Sequence, residues 1–119
     1  MKLTPKITIK LIADGGEKGF GPGIAELLEK VNSTGSLRAA CALMNMSYSK
    51  AWSILKSCEK SLGFDLLTRT TGGESGGGSV ITENGRNMLA CYRRLERIVA
   101  EESRRMLQEQ FGGLFPDTV

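Results

Sequence analysis

Residues 36–62 read SLRAACALMNMSYSKAWSILKSCEKSL, and the fold turns on how this stretch divides. Ser36 has the short side-chain oxygen that a helix N-cap requires, and Leu37, Ala40, Cys41 and Met44 follow at the spacing of one helical face. Asn45-Met46 interrupts that period. Ser47 then offers a second cap, and the helix it opens runs to about Leu62. At 100° per residue, Ala51, Leu55, Cys58 and Leu62 fall within about 60° of one another and form a buried face. The opposite face gathers Ser49, Ser53, Lys56 and Lys60, with Lys50 and Ser57 beside them.

A short helix, a tight turn and a second helix with a donor-rich outer face is the layout of a helix-turn-helix, whose second helix enters the DNA major groove. That groove is about 12 Å wide, which admits one helix and rewards a face free of bulky apolar groups. An ordinary amphipathic helix with a solvated face has the same periodicity, so the flanking sequence has to decide.

Downstream, Gly63-Phe64 ends the helix, Leu66 to Thr70 reads as a strand, and Ser79 to Ile81 reads as its return. Between them lies Thr71-Gly72-Gly73-Glu74-Ser75-Gly76-Gly77-Gly78. Two strands bridged by a glycine loop form a wing whose backbone N–H groups can approach phosphates; a flexible linker between two helical units has the same composition. Thr82 caps a final helix reaching about Gln110, in which Met88, Tyr92, Leu95, Val99, Glu102 and Met106 recur at alternating spacings of four and three. Such a helix is about 43 Å long, more than this small core can cover, so its stripe is expected to pair with a second copy, with Glu102 weakening the seam. Gly112 to Pro116 terminates it.

Upstream, residues 6–13 alternate apolar Ile7, Ile9 and Leu11 with polar Lys6, Thr8 and Lys10, which predicts a strand. Asp14-Gly15-Gly16 supplies a turn, and Glu17 to Phe20 the returning arm of a hairpin. Pro22 opens a first helix with Ile24, Leu27, Leu28 and Val31 on one face, ending near Asn32 to Gly35. The expected fold is mainly α with a small β component. Residues 1–81 form the hairpin and winged helix-turn-helix, and 82–119 the long dimerisation helix and tail, as one structural domain overall.

Charge and composition limit the function. Residues 36–94 carry eight basic and four acidic side chains, whereas residues 95–119 carry three basic and five acidic ones, so positive potential gathers around the helix-turn-helix. With no histidine there is no Ser-His or Cys-His pair and no imidazole ligand, and no glycine-rich segment ends in the Gly-Lys-Ser/Thr of a P-loop. An enzyme is not expected, nor a metal or cofactor, nor a small-molecule ligand bound through this chain. Cys41, Cys58 and Cys91 lack zinc spacing, and the first two fall on apolar helix faces, where free thiols are usually inert filler. Lys2, Pro5, Lys6 and Lys10 interrupt any signal-peptide pattern, and no apolar run spans a membrane, so a reduced cytoplasmic setting is expected.

Several of these residues carry a family resemblance. Phe20-Gly21-Pro22-Gly23, Gly35-Ser36, Ser47-Tyr48 followed by Ala51-Trp52, Thr71-Gly72-Gly73, Gly76-Gly77-Gly78 and Ile81-Thr82-x-x-Gly85 occur in that order. From about Lys6 to Leu95 the chain resembles the N-terminal DNA-binding domain of the molybdenum-dependent transcriptional regulators of the ModE family, a LysR-type winged helix-turn-helix. The resemblance implies that Ser47 to Lys56 begin the recognition helix, Arg69 to Ser79 form the wing, and the last helix is the dimer seam. The candidate contacts to double-stranded DNA are Ser36, Ser47, Tyr48, Ser49, Lys50, Ser53, Lys56, Arg69, Thr71, Gly72, Gly73 and Ser75. Met88, Tyr92, Leu95, Val99 and Met106 are the candidate homodimer interface. Trp52, about 100° from the centre of the buried face, is read as edge packing rather than as a base-stacking residue. Two features depart from the family: nothing after Gln110 forms a molybdate-binding module, and Glu74 stands on the wing where a basic residue is common. A protein-interaction module on the same scaffold is the competing reading, and it would gain if acidic groups broke the basic face.

Overall fold

Helix boundaries in the computed structural model, which describes residues 2–70 and 78–116, fall where the sequence supplies caps. Helix α1 (Pro22–Thr34) begins with proline in its first turn and ends at Gly35, whose φ of 73° is a left-handed conformation that glycine adopts without a Cβ clash. Ser36 Oγ accepts from Ala39 N at 3.1 Å to open α2 (Leu37–Leu43). Ser47 Oγ accepts from Lys50 N at 3.1 Å to open α3 (Tyr48–Leu62). The turn between α2 and α3 is made by Asn45 at φ 53°, which a short polar side chain tolerates, and Met46 N closes it on Cys41 O at 2.9 Å.

Three layers meet in one core. Ile24, Leu27, Leu28 and Val31 of α1 face Leu37, Ala40 and Cys41 of α2 and Ala51, Leu55 and Cys58 of α3, all buried. Each large aliphatic side chain so enclosed contributes roughly 1.5–3 kcal/mol over its exposed state. Strands β3 (Leu67–Thr70) and β4 (Gly78–Ile81) pair antiparallel with Leu67 opposite Ile81 and Thr70 opposite Gly78, so the two strands expected to flank the glycine loop pair as the sequence indicated. Ser79 N donates to Gly35 O at 3.0 Å and ties the wing to the α1–α2 corner.

At the N-terminus the expected strand over residues 6–13 shrinks to β1 (Leu11–Ile12), paired with β2 (Lys18–Phe20). The returning arm has only three paired residues before Gly21-Pro22 enters α1, and the register shifts between Leu11 and Ile12, so no partner remains for residues 6–10. Asp14–Gly16, expected as a simple turn, is one 3-10 turn.

Helix α4 (Glu83–Phe111) starts from a tight junction. Thr82 donates its N–H to Leu66 O at 3.0 Å and its hydroxyl to Asp65 O at 2.6 Å, while Thr82 Oγ1 accepts from Gly85 N at 2.9 Å. Gly85 lies so close to β3 that a Cβ there would sit 2.5 Å from Leu66 O. Two residues of the stripe, Tyr92 and Met88, turn to the chain's own core. Tyr92, expected on the dimer seam, is only 1% exposed: its ring meets Phe20 edge-on at 5.1 Å and its hydroxyl donates to Ile9 O at 2.6 Å. The opening turns of α4 lie over the chain's own core, so the stripe there is consumed within the chain; Met88 packs against that core as well. Arg93 pins the same stretch to α1 through Glu29, with Arg93 Nε 3.1 Å from Glu29 Oε2, and reaches Glu96 at 2.7 Å.

Gly85→Ala is expected to lower unfolding stability by about 1–3 kcal/mol, as overpacking against a backbone carbonyl does. Urea denaturation at fixed protein concentration checks this, and a change under about 0.5 kcal/mol would contradict the junction. The hydrogen bond from Arg93 holds the Glu29 carboxyl below its ordinary value of 4.5. A carboxylate whose native pKa is depressed stabilises the fold above its unfolded pKa and loses that contribution as pH falls through the native value. Glu29→Gln is therefore expected to be less stable than wild type at neutral pH and to converge with it in acid, as read from melting curves across pH.

Candidate nucleic-acid interface

Capping by Ser47 and burial of Ala51, Leu55 and Cys58 fix the rotation of α3, so Ser49, Lys50, Ser53 and Lys56 stand in solvent on its outer side. The Ser47 hydroxyl oxygen accepts from the first turn of its own helix, as does that of half-buried Ser36, and each keeps its O–H proton to donate. On the wing side of α3, Tyr48 and Trp52 are half-buried and meet edge-on, ring centroids 6.2 Å apart. Arg38 of α2 lies over the Tyr48 ring at 4.6 Å. Arg69 of β3 lies over the Trp52 ring at 4.5 Å and donates from Nη2 to Tyr48 Oη at 3.1 Å, and Lys56 Nζ sits 5.0 Å from the same indole. Stacking a cation on a ring face in this way is worth about 0.5–1 kcal/mol at an exposed site. Trp52 thus packs at the edge of the domain, between α3 and the wing.

Below this layer, Glu59 is buried on α3 at 7% exposure. Its Oε2 accepts from Leu66 N at 2.7 Å and Leu67 N at 3.3 Å, so one carboxylate satisfies the backbone where the chain leaves α3 and enters β3. Its other oxygen has no hydrogen bond but lies 3.3 Å from the Lys56 ammonium, which supplies charge compensation. Glu59 is the one acidic residue in α2, α3, β3 and β4, and its carboxylate is turned inward. Acidic groups therefore do not break the outer face that these elements present.

Sequence reading found Ser49, Lys50, Ser53, Lys56 and Arg69, which the structure sets on one side of α3 or at its border with the wing. It missed Arg38 and Glu59. Arg38 looks like any solvated residue on a short helix, and Lys56 and Glu59 at a spacing of three read as a surface ion pair. Thr71, Gly72, Gly73 and Ser75, with Glu74, lie outside the described residues. Cys41 and Cys58 are buried, and burial pushes both thiols up, away from the thiolate that would react. Among the described residues no cluster of histidine, cysteine or carboxylate side chains could hold a metal ion. On α4, Leu95, Ile98 and Met106 are exposed and Val99 is half-buried; Ile98 was absent from the expected stripe.

Glu59→Ala would strand two buried N–H groups and is expected to cost about 1–3 kcal/mol for each donor left unmet. Glu59→Gln, which keeps an acceptor, should fall between that variant and wild type in urea denaturation. Equal stability of Glu59→Ala and wild type would contradict this role.

The sequence pattern of the bacterial regulatory helix-turn-helix proteins of the lysR family matches residues 25–86, more than half of the chain, from α1 to the first turn of α4. The chain is 34% identical over 89 residues to the transcriptional regulator ModE of Haemophilus influenzae, covering 75% of this chain and 34% of that protein. It is 35% identical over 75 residues to the molybdenum-pterin-binding protein MopB of Rhodobacter capsulatus, covering 63% of this chain and 28% of that protein. This chain thus spans about a third of the length of these curated relatives. In fold it is similar to the protein in the crystal structure of the CbnR_DBD-DNA complex, with a TM-score of 0.55 at 21% identity over 72% of this chain and 93% of that one. With more than half of its length matching that pattern, from α1 through the capped helix pair to the start of α4, the chain belongs to the lysR family of bacterial regulatory helix-turn-helix proteins.

Proposed function

We propose that this chain binds double-stranded DNA sequence-specifically as a homodimer and thereby regulates transcription. The observation that carries the reading is the outer face of α3, where Ser49, Lys50, Ser53 and Lys56 are exposed beside a wing and the neighbouring acid is turned inward. A lysine on a flexible stem acts as a point charge for phosphate, whereas a serine hydroxyl can both donate to and accept from base edges. Lys50, Lys56 and Arg69 then set position on the duplex, and Ser49 and Ser53 read bases. The DNA in the CbnR complex and the regulator names of the ModE relatives support the same reading.

Dimerisation rests on the part of α4 beyond its own core. Leu95, Ile98, Val99 and Met106 leave apolar surface on a helix of 29 residues, and a second copy covers it symmetrically. The Haemophilus influenzae relative is named as a transcriptional regulator, and the reading assigns no catalytic role, cofactor or small-molecule ligand to this chain. Among the described residues no helix is long and apolar enough to cross a membrane, and the proposed place of action is the cytoplasm, where the DNA is. Among the described residues the outer face of α2, α3, β3 and β4 carries basic groups without an outward-facing acid, which favours DNA over a protein partner.

Lys50→Ala and Lys56→Ala are each expected to weaken binding about equally on all duplexes and to lower the salt slope by roughly 1 for each phosphate no longer neutralised. Fluorescence anisotropy of labelled duplex across salt concentrations measures both. Leu95→Glu with Val99→Glu is expected to convert dimers to monomers in light scattering and to weaken DNA binding in parallel. A wild-type monomer at micromolar concentration would overturn the homodimer, and failure to bind duplex at low salt would overturn the DNA reading.

A further inference from the structure

Arg38, Tyr48, Trp52 and Arg69 form a ladder of two touching rings with an arginine stacked at each end, which crosses from α2, over the first turns of α3, to the base of the wing. Two exposed arginines are thereby held against aromatic faces instead of extending freely into water. Among the described residues neither pairs with a carboxylate, unlike Arg93 and Arg105. A guanidinium carries five N–H donors in its plane, so stacking occupies its face and leaves the edge for an anion. For Arg69 one of those donors is spent on the Tyr48 hydroxyl, which fixes the plane further.

Resting on the DNA-binding reading, we infer that Arg38 and Arg69 form a preorganised clamp for backbone phosphates, and that Trp52 is the positioning residue that holds Arg69, and with it the wing, against α3. The ligand class is the phosphodiester oxygen, so the clamp adds affinity and salt dependence without sequence preference. Ordering a long side chain ordinarily opposes binding, and a ring that has already ordered it removes that cost. Trp52 is suited to this because its ring is itself fixed, braced by Tyr48 at its edge and with its Nε1 buried. Lys56, 5.0 Å from the same indole, is paired with Glu59, so among the described residues the unpaired cations of the ladder are the two arginines.

Trp52 is the chain's single tryptophan, so its emission reports on the ladder alone. The test titrates the full chain with labelled duplex at several salt concentrations, following anisotropy and tryptophan emission together, with melting curves for every variant. Wild-type emission is expected to change in step with anisotropy and to saturate at the same duplex concentration. Arg38→Gln and Arg69→Gln should each lower the salt slope by roughly 1. Trp52→Leu should lower it as Arg69→Gln does, the double variant should fall no further, and Trp52→Phe should restore the slope by returning a ring. If wild type binds but Trp52→Leu keeps the wild-type slope, Trp52 does not position Arg69. If Arg38→Gln and Arg69→Gln both keep it, or wild-type emission ignores saturation, the clamp falls; should Trp52→Leu not fold, these two readouts decide. A wild type that binds no duplex removes the DNA reading and the clamp together, a result distinct from the others.

Discussion

A carboxylate with less than a tenth of its surface in water must find partners on every side, and Glu59 finds them in the two N–H groups that begin β3 and in the Lys56 ammonium. An unmatched charge at that depth would be far more costly than a neutral polar group, so the arrangement is a constraint as much as an attraction. It fixes where the chain turns from α3 into β3. Strand β3 therefore leaves α3 at one set angle, and the basic groups of both elements share a side.

Two further junctions carry that geometry through the molecule. Thr82 bonds to both carbonyls at the foot of β3, and Gly85 lets the first turn of α4 close on Leu66 O, so the long helix grows from the same point that Glu59 anchors. Ser79 N bonds to Gly35 O at the other end of the wing. In the proposed dimer, the direction of α4 would set the spacing between two recognition helices, and that direction is determined by contacts internal to one chain. Tyr92 and Arg93 hold the opening turns of α4, leaving Leu95, Ile98 and Met106 exposed beyond them for the proposed partner.

What could be read from sequence was local chemistry. Ser36, Ser47 and Thr82 are caps because a short side-chain oxygen meets a nearby N–H, and this requires nothing distant. The wing was legible because strand-like residues flank its glycines closely. Tyr92 was not legible, since a stripe of alternating spacing reveals which face is apolar but not whether that face meets its own core or another chain. The strand over residues 6–13 was overextended because alternation says nothing about the length of its partner. Arg38 stacks on Tyr48 ten positions away and Arg69 on Trp52 seventeen away, pairings that only the tertiary fold creates.

The central claim is that two copies of α3 present the same serine-bearing, basic face to successive turns of a duplex. Selection of bound duplexes from a random-sequence library tests it most directly. The account predicts an enriched inverted repeat with half-sites about 10 base pairs apart or a multiple of that, and a changed half-site when Ser49 and Ser53 are both replaced by alanine. Recovery of no enriched motif, or of one that lacks twofold symmetry and is indifferent to both serines, would contradict it.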